Sequence, residues 1–204
     1  MINYNGKLIS SSEPVFYFSN RAFKYGDGLF ETIKVQNLKV NYLEDHYFRL
    51  MASMRMLRMN IPMSFTMDFF ENELIKTVER NNLIDARVRI TVFRKDGGLY
   101  TPTTNEIDFV IEASRLNAKN EKEYVVDLFK DYFIYSGFLS TVKSTNKSIN
   151  VLASIYTSEN EFDNCILLNE KKHQFQQKLQ RSLLFVHCRQ TSPLLKLRFW
   201  SRTS

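Results

Sequence analysis

The sequence predicts an α+β fold in two domains, residues 1–116 and a second domain opening at 124, joined by a linker at 117–123. Three observations predict it. Two segments, 43–59 and 66–81, repeat apolar residues at the 3.6-residue spacing of one helix face. Two later segments, 86–93 and 107–113, alternate apolar and polar residues as half-buried strands do, and they read as an antiparallel pair. The run Asn-Ala-Lys-Asn-Glu-Lys-Glu at 117–123 is polar and interrupts both patterns.

In order along the chain, Asn5-Gly6, flanked by Ile2, Tyr4, Leu8 and Ser10, is a two-residue hairpin signal of the type I′ kind. Pro14–Ser19 and Leu29–Val40 read as strands on either side of the glycine-containing loop Tyr25–Gly28. A helix follows from Leu43 to about Met59, because Leu43, Tyr47, Leu50, Met54 and Leu57 share a face; His46 and Arg49 share a neighbouring one. A second helix fits Thr66–Asn81, with Phe70, Leu74 and Val78 in register and a polar start at Ser64 or Thr66. The strands Ala86–Phe93 and Ile107–Ala113 are joined through Gly97-Gly98 and Pro102. Beyond the linker come a strand Tyr124–Phe129, a strand-like run Tyr132–Leu139 and a helix carried by Ile149, Leu152, Ala153 and Tyr156. A short apolar strand, Cys165–Leu168, closes the series.

The chain has 204 residues, 44% of them hydrophobic, which is enough apolar material for a real core. Met1-Ile-Asn-Tyr-Asn-Gly holds no apolar h-region, and no apolar run reaches the roughly 18 residues of a membrane span. A cytoplasmic, non-membrane protein is expected. Cys165 and Cys188 have neither metal spacing nor a disulfide framework and read as two free buried thiols. The net charge of +6 invites a nucleic-acid reading, but residues 171–204 hold eight Lys and Arg and no Asp or Glu. The first 170 residues therefore carry 20 basic against 22 acidic side chains, and no nucleic-acid partner is expected of that body.

Three segments carry the chemistry. They are Arg21-Ala-Phe-Lys-Tyr25-Gly-Asp-Gly28-Leu-Phe-Glu-Thr32-Ile-Lys34, Leu43-Glu-Asp-His46-Tyr-Phe-Arg49-Leu50 and Val142-Lys143-Ser-Thr-Asn146. In this order they resemble the signature segments of the class IV pyridoxal-phosphate enzymes: branched-chain aminotransferases, D-amino acid aminotransferases and aminodeoxychorismate lyase. The resemblance implies that family's two-domain fold, a small α+β domain followed by a larger cofactor-binding domain, here truncated. It implies pyridoxal 5′-phosphate as cofactor, amino acid and 2-oxo acid substrates, and a homodimer.

Residue by residue, the resemblance makes Lys143 the lysine that condenses with the cofactor aldehyde and later serves as base for the Cα proton. Arg49 matches the arginine that contacts the cofactor phosphate, a task suited to its fixed fork of donors. His46, one turn earlier, is read as structural. Tyr25 lines the substrate side, Phe30, Glu31, Thr32 and Lys34 continue into the strand facing the site, and Arg89 lies where the aminotransferases have an arginine near the substrate. Branched-chain aminotransferases usually read Phe-Glu-Gly-Ile-Arg where this chain reads Phe30-Glu-Thr-Ile-Lys34; the threonine form looks more like lyases and unassigned class IV transaminases. Aminotransferase is the leading reading, with aminodeoxychorismate lyase or a non-catalytic remnant as alternatives.

After Asn164-Cys-Ile-Leu-Leu-Asn-Glu170 the resemblance ends. Where the family places a glutamate against the pyridine nitrogen, this chain has Gln176, which can hydrogen-bond a neutral ring nitrogen but cannot stabilise a protonated one. The 34 residues from Lys171 contain no glycine, the last being Gly137, and no acid. This abrupt change reads as out-of-frame translation, against the competing reading of a lineage-specific C-terminus. The interleaved Phe175, Phe185, Phe199 and Trp200 among basic residues suggest nucleic acid only weakly, since random reading frames produce such mixtures.

Overall fold

The computed structural model describes residues 1–116, 124–171, 174–177 and 195–197. The chain divides into two compact units: Met1–Asn117 with Val142–Asn146, and Ala118–Thr141 with Lys147–Ser204.

The first unit runs β1 (Ile2–Tyr4), β2 (Lys7–Ile9), α1 (Arg21–Tyr25), β3 (Gly28–Gln36), β4 (Lys39–Val40), α2 (Leu43–Met56), α3 (Met67–Arg80), β5 (Ala86–Arg94) and β6 (Ile107–Arg115). Its six strands form one sheet in the order β2-β1-β6-β5-β3-β4, and every pairing is antiparallel. Alternation decides which face is core. Leu29, Ile33 and Val35 of β3, Val88, Ile90 and Val92 of β5 and Ile111 of β6 are all buried on one face with Leu50 and Met54 of α2 and Phe70, Leu74 and Val78 of α3. Burying each such side chain stabilises the fold by about 1.5–3 kcal/mol. Thr66 caps α3 by accepting from the Phe69 amide.

The opening hairpin is as predicted, with Asn5 and Gly6 both at positive φ (50° and 84°), as a type I′ turn requires. Two expectations fail. Pro14–Ser19 is not a strand: Phe16, Tyr17 and Phe18 are exposed, and the chain turns where the Asn20 amide meets the Tyr17 carbonyl at 2.9 Å. The Asn20 side chain then accepts from the Phe23 amide and caps α1, a helix too short to show periodicity. Leu29–Val40 is not one strand either. Asn37 and Leu38, both at positive φ (48° and 58°), fold it into the hairpin β3–β4 without a glycine.

The second unit contains β7 (Tyr124–Ile134), a 3₁₀ turn (Phe138–Thr141), α4 (Ser148–Glu159), β8 (Asn164–Asn169), β9 (Gln174–Gln177) and β10 (Leu195–Leu197). The sheet order is β10-β7-β8-β9; β7 and β8 are parallel, and the outer pairings are antiparallel. The strand-like run Tyr132–Leu139 therefore stops being strand at Ile134 and closes in the 3₁₀ turn. Phe129, Ala153, Cys165 and Leu167 form a small core with Ile134, Ile149 and Tyr156 against it, while Leu152 is exposed rather than on the buried face of α4. The Cys165 thiol is buried and donates to the Ala153 carbonyl. Cys188 and the linker 117–123 lie outside the described residues. No helix among the described residues is long and apolar enough to cross a membrane.

Lys143, which the sequence reading placed with residues 124–170, sits in the first unit. Its segment docks on the edge of β3, with a bridge between Leu29 and Ser144.

Candidate active site

The site is organised by one strand whose alternate residues face opposite sides. On the core face of β3, Glu31 sits between Leu29 and Ile33 and is 1% exposed. An ionised carboxylate there is costly unless it is paired and hydrogen-bonded. The next helix supplies the partners, because His46 and Arg49 are three residues apart on α2 and so share a face. Arg49 donates Nε to Glu31 Oε1 at 2.6 Å and Nη2 to Oε2 at 2.7 Å. His46 Nδ1 lies 2.9 Å from Oε2, and Lys143 Nζ donates to the same oxygen at 3.4 Å.

Nδ1 of His46 is also 2.9 Å from Arg49 Nη2, and because the ionised Glu31 carboxylate can only accept, we assign Nδ1–H as its donor, which leaves the contact with the donor-only guanidinium as proximity without a hydrogen bond. Burial pushes the Glu31 carboxyl up, yet the hydrogen bonds from Arg49 and His46 and the charges of Lys143 and Arg49 outweigh it and pull it down to about 2. Reciprocally, the bond to Glu31 raises the pKa of Arg49. Side-on pairing leaves Arg49 Nη1 without a partner among the described residues, and 45% of this side chain is exposed. An outward-facing guanidinium edge, already oriented, is suited to an oxyanion.

Lys143 reaches this carboxylate because its backbone is paired to β3. The Phe30 amide donates to the Lys143 carbonyl at 3.0 Å, and the Thr145 amide donates to the Gly28 carbonyl at 2.9 Å. β4 covers only Val35 and Gln36 of β3, so the strand's other end is open to this segment.

On the opposite face lie Phe30, Thr32 and Lys34. The Arg89 guanidinium carbon stands 3.8 Å from the centroid of the Phe30 ring, and Lys143 Nζ is 5.1 Å from that centroid. Arg89 donates to Thr91 Oγ1 at 3.3 Å and lies 3.8 Å from Glu112. Burial pushes its pKa down, which Glu112 opposes and Arg87 reinforces. Thr32 is Arg89's cross-strand neighbour, and its Oγ1 is buried with no hydrogen-bond partner among the described residues.

The predicted residues Lys143, Arg49, Phe30, Thr32 and Arg89 thus gather around one stretch of β3. Lys34 lies further along the same face, opposite Arg87. Tyr25 ends α1, where its ring meets Tyr100 at 5.5 Å and the Arg21 guanidinium at 5.0 Å. Gln176 belongs to β9 of the second unit, opposite Leu167, and its side chain lies outside the described residues. The sequence reading missed Glu31 as the centre of the cluster; it took His46 as structural, and here His46 is buried with Nδ1 2.9 Å from Glu31 Oε2. A signal existed: a glutamate in core register on a strand, followed by a helix that offers two possible donors on one face. Two cavities of the first unit, of about 620 and 710 Å³, are lined by neither Lys143 nor Arg49, so charge and geometry rather than concavity mark this site.

An amine and a half-exposed guanidinium are thus held side by side on one shared carboxylate. A family model for amino-transferase class IV matches residues 28–175, which is most of the chain and includes Glu31, His46, Arg49 and Lys143. The chain belongs to the class IV aminotransferase family. It is similar to a putative branched-chain-amino-acid aminotransferase of Methanocaldococcus jannaschii, 33% identical over 98 residues that make up 48% of this chain and 33% of that protein. It is also similar to the D-alanine aminotransferase of Bacillus licheniformis, 30% identical over 101 residues, 50% of this chain and 31% of that one. This class IV chain spans only about a third of the length of these relatives.

Among solved structures, its fold resembles the branched-chain amino acid aminotransferase of Escherichia coli. The TM-score is 0.73 at 20% identity, covering 83% of this chain and 60% of that one. A putative 4-amino-4-deoxychorismate lyase of Legionella pneumophila has a TM-score of 0.69 at 22% identity, covering 80% of this chain and 60% of that one.

Proposed function

We propose that this chain carries the cofactor-capturing part of a pyridoxal-phosphate-dependent aminotransferase, which moves the amino group of an amino acid, branched-chain or related, to a 2-oxo acid. The observation that carries the proposal is the shared carboxylate of Glu31, which holds Lys143 Nζ beside the oriented guanidinium of Arg49. The donor set fits the cofactor: an amine for its aldehyde and the open Nη1 edge of Arg49 for its phosphate. When bound, pyridoxal phosphate supplies the electron sink that makes the Cα proton of an amino acid removable.

The protein's own part is positioning and proton handling. Lys143 takes up and returns the proton at Nζ, while Glu31 and His46 keep Arg49 in one rotamer. Thr32 and Arg89 face the substrate, the orphan hydroxyl and the weakly paired guanidinium together suiting a carboxylate. A homodimer is part of the reading, supported by the exposed Phe16, Tyr17, Phe18 and Phe23 on the first unit. A cytoplasmic location completes it.

The test is the visible absorption of the chain with pyridoxal phosphate before and after borohydride, with Lys143→Ala as control. The expected outcome is a band that reduction traps as a pyridoxyl adduct on Lys143 and that the variant lacks. No band in the unmodified chain would leave the non-catalytic remnant as the correct reading.

A further inference from the structure

We propose that Thr145 is a positioning residue for Lys143, a side-chain latch that fixes the lysine's backbone register on β3. That Lys143 is the reactive lysine rests on the cofactor reading above; the latch itself stands on geometry. Backbone hydrogen bonds tie this segment to β3: the Phe30 amide donates to the Lys143 carbonyl and the Thr145 amide to the Gly28 carbonyl, at 3.0 and 2.9 Å.

Thr145 adds a third bond. Its Oγ1 lies 3.1 Å from the Gly26 carbonyl and 3.3 Å from that of Gly28. A hydroxyl has one proton, and the Gly28 carbonyl already receives the Thr145 amide, so donation to Gly26 creates the new connection. The methyl of the same side chain fills the space above Gly28, where a Cβ would come within 3.2 Å of Thr145 Cγ2, and a Cβ on Gly26 would come within 3.3 Å of Asn146 Cβ. Close approach of the two backbones therefore needs both glycines.

The acceptor side is itself rigid. Between the glycines, Asp27 Oδ2 receives Nε of both Arg21 and Arg94 at 2.9 Å, and both arginines are buried. Arg21 continues to the Gly97 and Leu99 carbonyls at 2.9 and 2.6 Å, and Arg94 to that of Leu57 at 2.7 Å. The latch thus ties Lys143 to a firmly anchored loop of the first unit. A shift of register by one residue would turn Lys143 away from both Glu31 and the Phe30 ring.

The test uses the whole chain as Thr145→Val, which keeps shape and loses the hydroxyl, and Thr145→Ser, which keeps the hydroxyl. Amide hydrogen exchange without cofactor is read by mass spectrometry over peptides containing Phe30 and Thr145, with β5–β6 peptides as the control for folding. Exchange in Thr145→Val should be about two- to tenfold faster, the range of one ordinary hydrogen bond, and close to wild type in Thr145→Ser. After pyridoxal phosphate and borohydride, the share of pyridoxyl label on Lys143 relative to other lysines should fall in Thr145→Val and be restored in Thr145→Ser. Unchanged exchange in Thr145→Val overturns the latch. Faster exchange with an unchanged Lys143 share overturns the positioning role. Absence of any Lys143 adduct in the wild type contradicts the cofactor reading instead, and the exchange arm, which needs no cofactor, still decides the latch.

Discussion

The two faces of β3 solve opposite problems with neighbouring residues. On the core face, Glu31 is surrounded by donors: two from Arg49, one from His46 and one from Lys143. On the open face, one residue along, Thr32 has a buried hydroxyl without a partner among the described residues, and Arg89 has only a 3.3 Å hydroxyl, a 3.8 Å carboxylate contact and an aromatic ring. On the first face the buried carboxylate is satisfied before any ligand arrives, and the second has donors to spare. In physical terms the core face is preorganised and the open face awaits recognition, which is the division expected when a fixed catalytic frame meets an exchangeable substrate.

The largest effect expected from disturbing this arrangement is on the core face. Glu31→Gln leaves Arg49 and Lys143 without their counter-charge and should lower stability by about 3 kcal/mol, less than a fully buried pair because Arg49 keeps access to water. Urea denaturation measures it, and a loss below the scatter of repeat curves would mean that solvent, not Glu31, balances those cations. The same residue sets an acid response. Its folded pKa of about 2 lies below the ordinary 4.5, so its stabilisation is present above 4.5 and is lost as the pH falls towards 2. That window should remove up to about 3 kcal/mol from the wild type and little from Glu31→Gln.

Next in size is Gly28→Ala. The added Cβ would meet Ala22 and Thr145 at 3.2 Å and Phe93 at 3.3 Å, crowding it from three sides. Overpacking of this kind costs about 1–3 kcal/mol, and the thermal midpoint should drop together with the ability of Lys143 to be labelled. A stable Gly28→Ala protein with normal labelling would show that the two backbones need not approach so closely.

The smallest effect separates the faces most sharply. Thr32→Val removes a hydroxyl that bonds to nothing described, so without ligand the protein should be unchanged or more stable by up to about 1 kcal/mol. Binding of an amino acid substrate to the cofactor-loaded chain should nevertheless weaken, read as a rise in the concentration that gives half the spectral change. A destabilised Thr32→Val protein with unchanged binding would reverse the assignment of the open face.

How far the sequence revealed this can be told element by element. The hairpin at Asn5-Gly6, the cores of α2 and α3 and the pair β5–β6 were legible because their signals are local: turn chemistry and periodicity over many residues. Helix α1 was not, since five residues cannot display a helical period, and the aromatic run before it has the composition of a strand without a partner to pair with. The turn at Asn37-Leu38 lacks the glycine that would have announced it. At the site, Lys143 and Arg49 were named from motif resemblance, but Glu31 acquires its meaning only when α2 is laid across β3. Thr145 is further removed still, because its role depends on a segment 117 residues away from Gly28 docking beside it.

The central claim, that the Arg49 edge and the Lys143 amine grasp two ends of one cofactor, is tested most directly by comparing half-saturation for pyridoxal phosphate with that for pyridoxal, in wild type and in Arg49→Ala. The account predicts that the wild type prefers the phosphorylated form by about tenfold or more, the worth of a charge-assisted contact, and that Arg49→Ala abolishes the preference while still binding pyridoxal through Lys143. Equal affinity for both compounds in the wild type, or a preference that survives Arg49→Ala, would contradict it.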